Sequence, residues 1–328
     1  MRFCLMIEGQ EGVSWEQWLA LARACEINGF DGLFSSDHYL SLYKPASRGS
    51  LDTWTALAAI ATHTEHIRLG SLVTPASMHH PGALAKVAAS VDRMSGGRVE
   101  LGLGAGWNES EHLAFGFPFP AVRERFDMLE EQLEIIRGLH REDDFRYQSA
   151  NYVIEHGDCL PKPLQSPLPI LIGGAGGPRM ASLAARFANE FNSDGGTPQQ
   201  CRERFNRVRA ACEGVGRDPA SITMSVMVTC VIGETDRDFR ERVRRTAALM
   251  GISADELVRK RGAGWVFGTP RQATETIGAL AEAGAQRIML QHHLADDLDT
   301  PALLAREVLP TFVHRAPSSA PLGICRSL

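Results

Sequence analysis

Apolar positions along this chain alternate between two rhythms. Short, continuous apolar runs bounded by Gly, Asn, Asp or Pro read as strands, and the stretches between them carry apolar residues at helical spacing. Arg2–Ile7 is the first such run. After it, Trp15, Trp18, Leu19, Ala22 and Cys25 fall on one helical face, with Ser14 placed as N-cap and Gly29 as a left-handed stop. The same logic predicts strands at 32–35, 67–73, 99–103, 169–172, 190–192, 222–231 and 287–291. It predicts helices at 53–62, 81–94, 121–139, 178–187, 198–214, 236–250, 254–260, 270–283 and 301–308. Pro81, Pro178, Pro198 and Pro270 each stand where a proline suits the first helical turn. The rhythm breaks once, at 141–168, where two strand-like pieces around Phe145–Tyr147 and Tyr152–Ile154 read as an inserted hairpin followed by a proline-rich loop.

Eight strands, each followed by helix, imply a closed parallel sheet: a (β/α)8 TIM barrel of the α/β class with inserted segments. An open doubly wound sheet would carry G-x-G-x-x-G after its first strand, where this chain reads Ile7-Glu8-Gly9-Gln10. The expected organisation is one barrel over 1–314, with the insertion at about 141–168 and a Pro/Ser-rich tail at 315–328. A chain of 328 residues can bury a large core without metals or disulfides. Lys and Arg number 34 against 39 acidic residues, a net charge of −5, so no basic surplus points to nucleic acid or an anionic membrane. Runs such as Trp54–Ala61 are too short to span a bilayer, and the MRFCLMIEG start reads as a strand and not as a signal peptide. Seven scattered cysteines without a CxxC read as reduced, cytoplasmic residues.

In such a barrel the chemistry lies at the C-terminal ends of the strands. The residues there are Glu8, Ser36-Asp37-His38, Ser71 to Thr74, Gly104 to Glu109, Gly173 to Gly177, Asn192 to Asp194 and Gln291 to His293. Polar or glycine-rich ends at most of the strands point to a site more than to a set of ordinary turns. In Gly173-Gly174-Ala175-Gly176-Gly177-Pro178-Arg179 a strand feeds a glycine loop that opens a helix, so backbone amides and the helix dipole can receive an anion, with Arg179 as an added cation. The loop is not a P-loop, because no Gly-Lys-Ser/Thr follows. Asp37-His38 pairs a carboxylate that can accept from a heterocyclic N–H with a side chain that exchanges protons near neutrality. His79-His80, Glu111-His112 and His292-His293 lack any dedicated metal spacing, and no metal is expected.

Several motifs in order resemble the bacterial luciferase-like family of flavin- and deazaflavin-dependent oxidoreductases, over about residues 2–310. They are Phe34-Ser35-Ser36-Asp37-His38, Arg68 to Pro75, His80-Pro81 with Leu84-Ala85-Lys86, Asp92 to Arg98, Gly102 to Glu109, and Pro169 to Gly177. Within that family the chain looks most like the coenzyme F420-dependent branch, with reduced-FMN-dependent monooxygenases that use O2 as the alternative. The resemblance implies a TIM barrel, commonly a homodimer, acting on a small-molecule substrate. It implies a non-proline cis peptide at Ser71-Leu72, forming a bulge behind the cofactor's tricyclic ring, with Ser71, Leu72 and Thr74 against the cofactor. It also implies Asp37 on the ring, His38 beside the reactive carbon, Asn108 on the ring or ribityl chain, and the amides of Ala175, Gly176 and Gly177 on the phosphate.

The sequence departs from the family's sugar-phosphate dehydrogenases. Their catalytic Glu after the fourth strand is missing, and Ala105-Gly106-Trp107 stands there instead. A sugar phosphate is therefore not the expected substrate. A barrel that binds flavin without turnover and a metal hydrolase on the same fold are the readings from other classes, since fold alone does not prove catalysis.

Overall fold

The computed structural model describes residues 1–43 and 48–312, so the expected tail at 315–328 lies outside the described residues. In chain order the elements are β1 (Arg2–Ile7), α1 (Trp15–Ile27), β2 (Gly32–Ser35), α2 (Thr53–Ala61), β3 (Arg68–Ser71) and β4 (Thr74–Pro75). Then come α3 (Pro81–Met94), β5 (Val99–Gly104), α4 (Glu109–Phe115), α5 (Val122–Arg141), β6 (Phe145–Gln148) and β7 (Val153–Gly157). They are followed by β8 (Ile170–Gly174), α6 (Pro178–Phe187), β9 (Glu190–Asp194), α7 (Pro198–Gly214) and β10 (Thr223–Ile232). The remainder is α8 (Asp236–Leu249), α9 (Ala254–Lys260), β11 (Val266–Gly268), α10 (Pro270–Glu282), β12 (Arg287–His292) and α11 (Asp299–Glu307).

Eight parallel strands close on themselves in the order β1-β2-β3-β5-β8-β9-β10-β12, and β12 pairs back to β1 with Cys4 opposite Met289. β4 adds to β5, β11 adds to β10, and β6 with β7 forms the antiparallel hairpin expected between the fourth and fifth barrel strands. The helices start where the sequence provides caps. Ser14, Thr197 and Thr269 each build a capping box with Gln17, Gln200 and Gln272, satisfying amides that the first turn leaves free.

Period-2 alternation divides the side chains of each strand between two cores. The odd residues of β1, Phe3, Leu5 and Ile7, join the large layer between strands and helices. The even ones, Cys4 and Met6, point inward and pack with Phe34, Leu72, Leu171 and Met289 inside the barrel. At the N-terminal ends of the strands this inner core is ionic. Arg287 is fully buried, its Nη1 donating to Glu100 Oε2 at 2.5 Å and Glu190 Oε2 at 2.9 Å, and its guanidinium lies 4.8 Å from the Phe34 ring centre. Burial opposes its charge, but Glu190 and Glu100 hold Arg287 protonated, well above its ordinary range. The barrel is thus plugged at its base, and open space lies at the other end.

The expected cis peptide is displaced. It joins Leu72 to Val73, not Ser71 to Leu72. The reason lies in the ladder: Ser71 still registers with Ser35, and the Leu72 amide still donates to Ser35 O at 2.7 Å. The chain leaves the sheet only after that bond and swings Val73 inward. A Cβ on Gly104 or Gly173 would stand 2.7 or 2.8 Å from a Val73 methyl, so these two glycines make room for the bulge.

Candidate active site

A cavity of about 470 Å³ opens at the C-terminal ends of the barrel strands, within the range of small-molecule sites. Its floor is a polar network. Glu8 accepts hydrogen bonds from Gln10 Nε2 at 2.6 Å, from Ser36 Oγ at 2.7 Å and from Gln291 Nε2, and Gln291 Oε1 accepts from Thr229 Oγ1. Above the floor the wall is largely apolar, with Leu42, Leu72, Val73, Met78, Phe126 and Met227.

Two buried carboxylates stand at the wall in different states. Asp37 is 2% exposed, and neither of its oxygens receives a hydrogen bond. His79 Nε2 lies 3.2 Å from Oδ2, close enough for charge attraction but outside hydrogen-bond alignment. Burial disfavours the charged His79 ring, but Asp37 outweighs it and raises its pKa. Glu111 is the opposite case, fully engaged. Its Oε1 accepts the amides of Tyr39 and Leu40 at 2.7 and 3.0 Å, and its Oε2 lies 2.7 Å from His38 Nδ1.

Such a partner fixes Nδ1 as the protonated nitrogen and leaves Nε2 for the cavity. Burial disfavours the His38 imidazolium, but the hydrogen bond and charge of Glu111 win and raise its pKa. The same pair, with the two amides, holds Glu111 below its usual range despite burial. Trp107 stands edge-on to the His38 ring at 5.7 Å.

The remaining expected residues separate into three groups. Asp37, His38, Leu72, Asn108 and Ala175 line the cavity. Ser71 and Thr74 point their hydroxyls into the wall, Ser71 Oγ donating to Gly102 O at 3.0 Å, Thr74 Oγ1 to Ser71 Oγ and Trp54 Nε1 to Thr74. Gly176 and Gly177 sit behind Ala175 at the start of α6, and the amides of Ala175, Gly176 and Gly177 donate to no backbone carbonyl among the described residues. Gly176 has φ +67°, where glycine is favoured.

Arg179 does not serve this loop. It bonds Asp127 and lies over Phe126 on the helix layer, because the first turn of α6 turns it outward toward α5. Cations nearer the loop come from α7: Arg207 donates to Gly176 O at 2.5 Å, and Arg204 to Gly195 O at 2.7 Å.

Sequence reasoning missed Glu111, His79, Arg204 and Arg207. Glu111 sits on α4, a helix with an inverted pattern. It buries Glu111 and His112 and exposes Leu113 and Phe115, so no apolar stripe announces it. The signal was chemical: Glu111-His112 follows the Gly106-Trp107-Asn108 turn at the top of a barrel strand.

Comparison with known proteins agrees with this architecture. Residues 1–304 match the family described as luciferase-like monooxygenase. A protein of Nakamurella multipartita named F420-dependent glucose-6-phosphate dehydrogenase is 27% identical over 313 residues, 88% of this chain and 90% of the relative. The crystal structure of monooxygenase RslO1 from Streptomyces bottropensis superimposes with a TM-score of 0.80 at 24% identity, over 95% of this chain and 100% of that one. An F420-dependent secondary alcohol dehydrogenase in complex with an F420-acetone adduct gives 0.79 at 17% identity, over 94% and 98%. At these identities the two structures establish the fold. Among the described residues, no helix is long and apolar enough to cross a membrane.

Proposed function

Since the chain belongs to the luciferase-like monooxygenase family, we propose that it is a coenzyme F420-dependent oxidoreductase that moves a hydride between the deazaflavin C5 and a small organic substrate. The observation that carries this reading is the buried Asp37 carboxylate, whose Oδ1 has no partner and whose Oδ2 faces only the misaligned His79 ring at 3.2 Å, beside the His38–Glu111 pair. A buried acceptor left open is costly, and a ring N–H satisfies it. The residues present fit the group. The Leu72-Val73 bulge offers an apolar face for a flat ring, and the free amides of Ala175, Gly176 and Gly177, with Arg204 and Arg207 behind them, suit its phosphate. Relatives named for F420-dependent chemistry support the cofactor.

When bound, the deazaflavin supplies two-electron hydride chemistry. The chain's own part is positional and protic. Asp37 and the glycine loop orient the cofactor, the apolar wall excludes water, and His38 Nε2 holds or receives the substrate's proton. With its pKa raised by Glu111, His38 stays protonated to higher pH than a free imidazole. It therefore serves as a proton donor for substrate reduction over a wider pH range than a free imidazole, and oxidation gains as pH rises through that pKa.

Titration of the purified protein with coenzyme F420 and with FMN tests the reading. Saturable binding of F420 alone is expected, and binding of FMN alone refutes it. His38→Asn should lower kcat by about 10²- to 10⁴-fold while leaving cofactor affinity unchanged. The second reading is a reduced-FMN monooxygenase, supported by the family's description and by the fold shared with RslO1. We read the protein further as a cytoplasmic homodimer. The six thiols among the described residues are unpaired and buried, which supports a reducing compartment, and light scattering of the purified protein tests the dimer.

A further inference from the structure

We propose that the cavity selects an uncharged, largely apolar alcohol, or its carbonyl counterpart, and rejects phosphorylated sugars. This rests on the hydride-transfer reading above and concerns the same site. The argument is one of charge. Four carboxylates line the cavity, Glu8, Asp37, Glu111 and Asp194, and among the described residues no Lys or Arg does.

The arginines around it are committed elsewhere. Arg48, on the loop after Leu42, bonds Glu11 Oε2 at 2.7 Å and Leu249 O at 2.8 Å. Arg125 donates to Pro120 O and stacks on Phe119. Arg207 donates to Gly176 O in the glycine loop, and Arg204 to Ser193 Oγ and Gly195 O at the end of β9 and in the loop after it. A substrate phosphate would bring two negative charges among carboxylates with no Lys or Arg to pair them, and the one imidazole that faces the cavity with a raised pKa, His38, is already paired with Glu111, so desolvated like charges repel strongly.

An uncharged substrate meets a suitable lining instead. Leu42, Met78, Phe126, Met180 and Met227 give it an apolar wall with adaptable thioethers, and the side of Trp107 stands at the mouth, 65% exposed. One polar feature then suffices, an oxygen facing His38 Nε2. Oxidation of such an alcohol breaks its carbinol C–H bond, whose electron pair leaves as hydride to the deazaflavin. The O–H proton passes to His38, and the C=O bond forms. The substrate loses two electrons and the cofactor gains them. The reduction runs the same steps in reverse.

The test begins with cofactor titration, whose failure for coenzyme F420 refutes the cofactor reading by itself. Charge preference is then measured on the protein loaded with whichever cofactor binds, so the two readings fail separately. Calorimetric titration compares cyclohexanone with cyclohexyl phosphate, which share a ring and differ in charge. Cyclohexanone should bind at least tenfold more tightly. Equal or tighter binding of the phosphate, or no binding of the ketone, overturns the proposal, as does turnover of glucose 6-phosphate faster than of cyclohexanol. Leu42→Arg, or Met78→Lys if the first melts early, should raise phosphate affinity at least tenfold. No gain in a folded variant overturns charge as the cause.

Discussion

Replacing Glu111 by glutamine separates its two tasks. The Gln carbonyl can still accept the Tyr39 and Leu40 amides, so the loop after β2 should keep its course. What is lost is the charge 2.7 Å from His38 Nδ1. A hydrogen bond to a charged group contributes about 1.5–3 kcal/mol. Its loss should therefore lower the His38 pKa. The direction follows from the pair. Burial lowers this pKa and Glu111 raises it above the ordinary value, so without the carboxylate burial prevails.

The amide also faces Nδ1 with its NH2 and turns it into the acceptor, leaving Nε2 protonated toward the cavity. Oxidation, which needs a free Nε2 lone pair, should be hurt more than reduction. The assay is an NMR titration of the His38 ring in both proteins, joined to the pH dependence of single turnover in each direction. In the wild type, the His38–Glu111 contribution to stability is complete below the unfolded histidine pKa and fades as pH rises through the raised one, and Glu111→Gln should remove that dependence. An unchanged His38 titration in Glu111→Gln refutes the dyad.

Asp37→Ala should weaken cofactor binding about 10- to 100-fold, the equivalent of about 1–3 kcal/mol, beyond any loss of stability from the His79 ring that Asp37 attracts at 3.2 Å, which Asp37→Asn should make smaller. Unchanged affinity in a fluorescence titration removes Asp37 from the site. Gly177→Val tests the anion loop better than a change at Gly176. A Cβ at Gly177 meets nothing within 4 Å, whereas one at Gly176 sits at φ +67° and 3.1 Å from Arg204. The variant should fold normally and lose at least tenfold in cofactor affinity, and full affinity would exclude the loop from the phosphate site. Arg287→Leu should cost about 3–5 kcal/mol in urea unfolding, since Glu190 and Glu100 lose their shared buried partner. A loss below about 1 kcal/mol would show that the cluster is neutral to stability.

The barrel was legible because local signals agreed with one another. Helix Pro81–Met94 matches its expected ends at both residues, with Pro81 opening it and Ser95-Gly96-Gly97 closing it. The active face was legible because parallel βα units put every strand end on one side, which assembled Glu8, Asp37, His38 and Asn108 before any distance was known. What stayed hidden depends on partners distant in sequence. Glu111 meets His38 across 73 residues, and Arg179 finds Asp127 on a neighbouring helix. Short β4 and β11 carry too few residues for any periodicity. Arg287 reads as the polar start of a strand, yet it is wholly buried, and only closure of the barrel brings Glu100 and Glu190 to it.

That closure has a consequence for how the chain comes into being. Synthesis runs from β1 onward, and the cation that Glu100 and Glu190 share is made 187 and 97 residues after them. Until then Glu100 has Arg68 alone and Glu190 has Arg2 at 3.8 Å, the cation they share is missing from the lumen, and the edge of β1 awaits β12. An early, dry collapse of the first strands is thus discouraged, and the last strand acts as a latch that lets the whole ring become compact at once. Fragments ending before residue 287 should stay open, with the unpaired edges of β1 and β10 prone to association, and supplying the missing C-terminal piece in trans should restore the ring.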